Sequence, residues 1–213
     1  MLKAKKISDY VHDEILQNIV QLKYQPGEKI SEAQLAKEMG VSRAPIKSAL
    51  AKLESEGLVS IRPQNGTFVS NISVERARNI CDIRILLETY AVRIVAERIT
   101  DKELEEVQKL FDQMNAISDE NAEKRQFIYE TDAKLHDLIY RASGNAIIGE
   151  VIERYRPEIR RIQHANMTWV NRKEPTQAEM KKIFAALKVH NPDAAERAMR
   201  EHLSNIKKAV ETL

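Results

Sequence analysis

Apolar residues recur at helical spacing along most of the chain. From Ser8 to Leu22, Val11, Ile15, Ile19 and Leu22 fall on one face, and Pro26-Gly27 then breaks the pattern. SEAQLAKEMG predicts a short helix in which Ser31 and Gln34 have capping-box spacing, Leu35 and Met39 point inward and Gly40 is the stop. A third helix starts at the N-cap Ser42 and stops at Gly57, with Ile46, Leu50 and Leu53 as its buried stripe. Pro45 is tolerated because it lies in the first turn, where backbone N–H groups have no intrahelical acceptor. Two strand-like runs follow, LVSIR (58–62) and TFVS (67–70), joined through Pro63-Gln64-Asn65-Gly66. Asn65-Gly66 reads as the positive-φ pair of a hairpin turn. Helix, short helix, turn, helix and hairpin predict a winged helix-turn-helix over residues 1–72.

Residues 73–213 read as almost pure helix, an antiparallel bundle. One stripe runs Ile80, Ile83, Leu87, Ala91 and Ile94; Thr100 and Glu103 cap the next, with Leu104, Val107, Phe111 and Met114 inward. Ile128, Thr131, Leu135, Leu138, Ile139 and Ala142 make a third, ended by Gly144, and a fourth from Ile147 to Tyr155 breaks at Pro157. Thr176 and Glu179 again have capping-box spacing, and Asn191-Pro192 opens a final helix with Ala195, Met199, Leu203 and Ile206 inward. The predicted class is therefore mostly α, in two domains.

Composition changes this picture little. The chain of 213 residues has a formal net charge of +2, with 10 Lys and Arg against 9 Asp and Glu in residues 1–75 and 24 against 23 in the rest. Bulk charge does not announce a nucleic-acid partner, so any such reading must rest on where the charges sit. Cys81 is the single cysteine, which excludes an intramolecular disulfide and a cysteine-based zinc site. No apolar run approaches a membrane span and the start lacks a signal-peptide core, as expected of a cytoplasmic protein.

Two sets of residues carry candidate chemistry. A helix-turn-helix lays its third helix in the DNA major groove, contacting bases from that helix's N-terminal end. Ser42, Arg43, Ala44, Pro45 and Lys47 occupy that end, and Arg43 has the fork that donates two hydrogen bonds to guanine. Asn65 and Gly66 would bring the wing backbone close to the minor groove. Taken singly, Arg43 and Lys47 could equally be solvated helix charges; the order of elements favours DNA.

The second set lies in the bundle. Asp132 and His136, four residues apart among Ile128, Leu135 and Ile139, share an inward face, and His202 sits among Ala198, Met199, Leu203 and Ile206. A buried carboxylate costs several kcal/mol unless paired or ligated. A local ion pair and a metal both satisfy that requirement; a metal-dependent hydrolase using the three groups is the enzyme alternative, and a DNA-binding dimer whose bundle senses nothing is the other. Arg84 is open between gripping an effector carboxylate and a surface pair with Glu88 worth only ~0.3–0.5 kcal/mol. His12 and His190 read as surface histidines.

The stretch YQPGEKISEAQLAKEMGVSRAPIKSALAKLESEGLVSIRPQNGTFVS resembles the N-terminal domain of GntR-family bacterial transcription regulators. DAKLHDLIYRASGN and NPDAAERAMREHL resemble the helical FCD domain of the FadR-type subgroup. The resemblance implies a ligand-responsive, homodimeric regulator that binds a double-stranded operator and takes a small carboxylate effector in the bundle. It also implies a divalent metal, zinc or nickel, held by an Asp and three His, three of which match Asp132, His136 and His202. The fourth position is Met180, a thioether that is a poor ligand for either ion. Arg84 lies near a pocket-facing position of the family, and Met180 is placed with it at the effector site. In the DNA-binding half, Lys47 stands where an Arg is usual and Ala33 where a basic residue is frequent, which predicts an altered operator preference.

Overall fold

The computed structural model describes residues 6–118 and 123–212, and the chain divides into two compact units, Met1–Ser73 and Val74–Leu213. The first unit contains α1 (Ile7–Val20), β1 (Lys29–Ile30), α2 (Glu32–Glu38), α3 (Arg43–Ser55), β2 (Val59–Arg62) and β3 (Gly66–Val69). Its antiparallel sheet has the order β1-β3-β2, with Lys29 and Ser60 both opposite Phe68 and Arg62 opposite Gly66. β1 is unforeseen because two residues carry no alternation to detect. It forms because the turn at Pro26-Gly27 returns the chain to β3, where Gly27 N donates to Val69 O and Val69 N to Glu28 O.

Ile15, Ile46, Leu50 and Leu53 are fully enclosed in one core with Val11, Leu35 and Leu58. Each such side chain contributes roughly 1.5–3 kcal/mol by leaving water. Gly40 and Gly57 end their helices at φ +65° and +77°, a conformation that suits glycine. At the wing, positive φ falls on Gln64 (+62°) and Gly66 (+113°), not on Asn65. Pro63 sets φ for the first turn position, Gln64 takes the left-handed second, and Asn65 N donates to Arg62 O. His12 is also not a surface residue: it is 4% exposed, with Nε2 2.9 Å from Glu56 and Nδ1 3.0 Å from Asp13.

The second unit consists of α4 (Val74–Arg98), α5 (Asp101–Ala116), α6 (Glu123–Ala142), α7 (Ala146–Arg154), α8 (Arg156–Thr168), α9 (Lys173–Lys188) and α10 (Pro192–Val210). α4 packs most extensively on α10, which also carries α9. The Thr100–Glu103 capping box and the Asn191 cap form as expected. Two expectations fail. α9 begins at Lys173, so Thr176 lies inside it and Glu179 caps nothing. The inward face of α4 is rotated: Ile80 and Ala91 of the expected stripe are buried with Cys81, Arg84, Glu88 and Val95, but Leu87 and Ile94 are half-buried and Ile83 lies out with Leu86 and Tyr90, at 42%, 66% and 56% exposed. α4 has apolar residues on two faces, and the Arg84–Glu88 pair, rather than periodicity, identifies the inner one. Among the described residues no helix is long and apolar enough to cross a membrane.

Candidate nucleic-acid interface and metal centre

In the first unit, Ile46, Ala49, Leu50 and Leu53 anchor α3, leaving Ser42, Arg43, Ala44 and Lys47 exposed and Pro45 half-buried at its start. Ser42 occupies the N-cap with extended backbone, but its hydroxyl makes no capping bond. The hydroxyl and the first N–H groups of α3 are thus available to an anion such as a phosphate. Glu54, near the C-terminus of α3, accepts a 2.7 Å bond from Ile61 N of edge strand β2 and ties the wing to the helix. Asn65 is exposed at the wing tip and Gly66 half-buried at its base. Arg62 and Lys29 stand over the Phe68 ring at 4.8 and 5.8 Å from its centroid, adding two cations beside Gly66. Among the described residues, Lys29, Arg43, Lys47 and Arg62 have no carboxylate partner.

In the second unit, Asp132 and His136 of α6 meet His202 of α10, all nearly inaccessible. The two Nε2 atoms are 3.2 Å apart, and Asp132 Oδ1 lies 3.3 Å from that of His202 and 3.7 Å from that of His136. Oδ1 accepts no hydrogen bond, while Oδ2 accepts a 2.7 Å bond from Gln163 of α8. The far sides of both rings face carboxylates. His202 Nδ1 is 2.9 Å from Glu179 Oε2, and His136 Nδ1 makes a 2.5 Å ion-pair contact with Glu88 Oε2. A carboxylate on Nδ1 keeps the proton there and turns the Nε2 lone pair inward, the arrangement that prepares imidazole as a ligand.

Further charges complete the cluster. Arg84 Nε donates to Glu88 Oε1 at 2.6 Å, so the i,i+4 pair forms, but buried rather than on the surface. Arg172 Nη2 donates to both Glu179 oxygens at 2.9 and 2.8 Å. Glu88, Asp132 and Glu179 together exceed the two guanidiniums by one negative charge. Burial works against ionisation throughout, yet the partners win. The charges of His202 and His136 hold Asp132 down at about 2 despite burial, and Glu88 and Asp132 raise His136 to about 9. Arg84 likewise keeps Glu88 below the usual carboxylate range. Two inward-facing Nε2 atoms and an orphaned carboxylate oxygen around one point fit a divalent cation, which would take the place of the proton that His136 otherwise carries. Met180 is fully buried on α9. Arg84 and His136 line a cavity of about 20 Å³ with Tyr140, Ile159 and Gln163, room for little more than a water.

Residues 7–69 match the family described as bacterial regulatory proteins, gntR family, and residues 79–205 match the FCD domain. The HTH-type transcriptional repressor RspR of Escherichia coli (strain K12) is 30% identical over 210 residues, 97% of this chain and 90% of that protein. The chain is a GntR-family transcription regulator with an FCD domain. The HTH-type transcriptional repressor NanR of Cronobacter sakazakii (strain ATCC BAA-894) is 27% identical over 234 residues, covering 96% of this chain and 85% of that one. The fold is shared with E. coli McbR/YncC, with a TM-score of 0.78 at 20% identity over 98% and 99% of the two chains. A GntR-type chain from Rhodococcus sp. RHA1 gives 0.79 at 19% identity, over 96% and 97%.

Membership in this family of DNA-binding regulators sets the hydrolase reading aside. For the GntR protein described here, sequence reasoning assembled Asp132, His136 and His202 but missed the groups that orient them. Glu88 and Glu179 were visible as charges within apolar helical patterns, the same signal that singled out Asp132. Gln163 was hidden in an irregular segment, and Lys29 and Arg62 became conspicuous only once the strand register set them around Phe68.

Proposed function

We propose that this GntR-family protein is an effector-responsive repressor acting as a homodimer, its first unit binding operator DNA and its second holding a divalent metal and a small carboxylate. The carrying observation is the convergence of Asp132 Oδ1, which accepts no hydrogen bond, with the Nε2 atoms of His136 and His202 in a buried site. Zinc or nickel bound there supplies a Lewis-acidic charge. It would replace a single proton in balancing the carboxylates and leave one positive charge in excess, which favours an anionic effector. Met180 contributes no nitrogen, so three protein ligands leave positions open for it.

Arg84 holds Glu88, and through it His136, and its guanidinium borders the cavity where a carboxylate would enter. A cavity of about 20 Å³ is too small for such a ligand, so effector binding must displace the side chains around it. This supplies the differential contact through which a ligand shifts a conformational equilibrium, typically by about 1–3 kcal/mol of coupling.

On the DNA side, Arg43 reads a base edge, Ser42 and the first N–H groups of α3 bind phosphate, and Lys47 contacts a base or phosphate. Ala44 and Pro45 pack beside them, while Asn65 and Gly66 bring the wing to the minor groove. The exposed Ile83, Leu86 and Tyr90 face of α4 supports a two-fold contact with a second copy, as a two-fold operator requires. Two relatives are named repressors, which supports that sign of regulation here.

The test is elemental analysis of gently purified protein, followed by operator binding with and without small carboxylates. Zinc or nickel near one ion per chain, lost in Asp132→Ala, is expected. Metal-free protein that zinc and nickel fail to stabilise would refute the metal reading, and operator binding indifferent to every carboxylate would refute sensing.

A further inference from the structure

Glu179 is held by more than His202. Arg172, the N-cap residue of α9, closes the connection from α8, in which Asn171 adopts φ +53° and Arg172 N donates to Asn166 O at 3.2 Å. Its Nη2 bridges both Glu179 oxygens, and its Nη1 donates to the backbone oxygen of Asn205 on α10 at 3.1 Å. Asn205 Nδ2 donates to Glu179 Oε1 at 2.8 Å, and Oε2 faces His202 Nδ1 at 2.9 Å. The Arg172 and Glu179 side chains are only 12% and 7% exposed, so water competes weakly for these bonds.

We propose that Arg172 is a positioning residue for the metal centre: through Glu179 it fixes the ring of His202, coupling metal occupancy to the fold of residues 169–172. The inference rests on the metal reading above. If Arg172 lets go, Glu179 can rotate, and His202 loses the carboxylate that keeps its proton on Nδ1 and its lone pair on the metal side. The coupling is reciprocal, because whatever the closed connection contributes to metal affinity the metal returns to the closed connection. Trp169, the only tryptophan of the chain, lies at the C-cap of α8, 44% exposed, and reports on this segment.

The experiment is a zinc titration of the full chain, with affinity measured against a chromophoric chelator and Trp169 emission followed in parallel. Arg172→Gln should weaken zinc binding by roughly 10–100-fold, the usual effect of removing an outer partner of a ligating histidine. Arg172→Lys should lose less, since it keeps the charge but not the fork. Arg141→Gln, which breaks only an exposed pair with Glu106, should bind like the wild type. Zinc should shift Trp169 emission in the wild type and leave it unmoved in Arg172→Gln. Wild-type affinity in Arg172→Gln, or wild-type emission unmoved at saturating zinc, overturns the positioning role alone. If Arg172→Gln does not fold by circular dichroism, Arg172→Lys decides, and unchanged zinc affinity overturns the proposal. A wild type that binds no zinc overturns the metal reading and this inference together.

Discussion

At the residue scale, the two candidate sites differ in how their charges are used. In the first unit, Arg43 and Lys47 project from α3 without carboxylate partners among the described residues; in the second, Arg84 is buried and Arg172 half-buried, and they are committed to Glu88 and Glu179. Unpaired surface cations suit a polyanion, and paired buried ones suit the orientation of ligands. Arg43→Ala should therefore cost about 1–3 kcal/mol of operator binding and relax discrimination at one base position. Lys47→Ala, if its contact is to phosphate, should weaken all sequences alike and lower the salt slope by about 1. Anisotropy titrations over a salt series check both, and unchanged sequence preference in Arg43→Ala would disprove its role.

His164 offers a pH test. Its ring packs against that of Tyr129, with centroids 4.0 Å apart and planes tilted by 39°; burial, helped by the charge of Arg160, pushes its pKa down to about 4. The folded state thus takes up this proton less readily than the unfolded chain, whose histidine titrates near ~6.5. Its stabilising effect is complete above that value and is lost as pH falls toward 4. The stability difference between wild type and His164→Gln should shrink between pH 7.5 and 4.5 in urea unfolding. A difference independent of pH would rule this out.

At the element scale, the helices formed where period and caps placed them, as at Thr100–Glu103, Asn191 and Gly57. The Asp132–His136 pair was legible because two polar groups four apart on an apolar stripe must face inward together. Glu179 was misread as a cap because its spacing from Thr176 is that of a capping box, although α9 starts three residues before Thr176. The wing was legible as a hairpin but not in its details. Gly66, at φ +113°, sits where an added Cβ would come within 2.7 Å of Lys29 Cε. The lysine tip can move, so the backbone conformation sets the cost of Gly66→Ala, on the order of 1–3 kcal/mol. The substitution should also lift Lys29 from Phe68 and weaken operator binding. Thermal unfolding of the isolated variant and titration with operator read the two effects separately.

At the scale of the whole molecule, α4 supplies both an inner charged face and an outer apolar one. A row of Ile83, Leu86 and Tyr90 at i, i+3 and i+7 is a contiguous stripe, the kind of surface that soluble proteins keep for partners. Leu86→Glu places a charge in its middle and should give monomers by sedimentation. The same variant should bind a single half-site but lose the gain that a two-fold operator provides. A dimeric Leu86→Glu protein with wild-type operator affinity would move the interface elsewhere.

The sequence by itself determined the order and type of nearly every element, the winged helix-turn-helix, the family, and three of the groups that meet in the bundle. These rest on short-range physics: helical period, cap chemistry, turn residues and the cost of an isolated buried charge. Only the tertiary structure decided which apolar face of α4 is covered, since two faces of similar hydrophobicity differ only in what packs against them. It alone brought Glu88, Gln163 and Glu179 from three helices around Asp132, His136 and His202. Such contacts join residues up to 70 positions apart, from Asp132 to His202, and no local pattern encodes a distance of that kind.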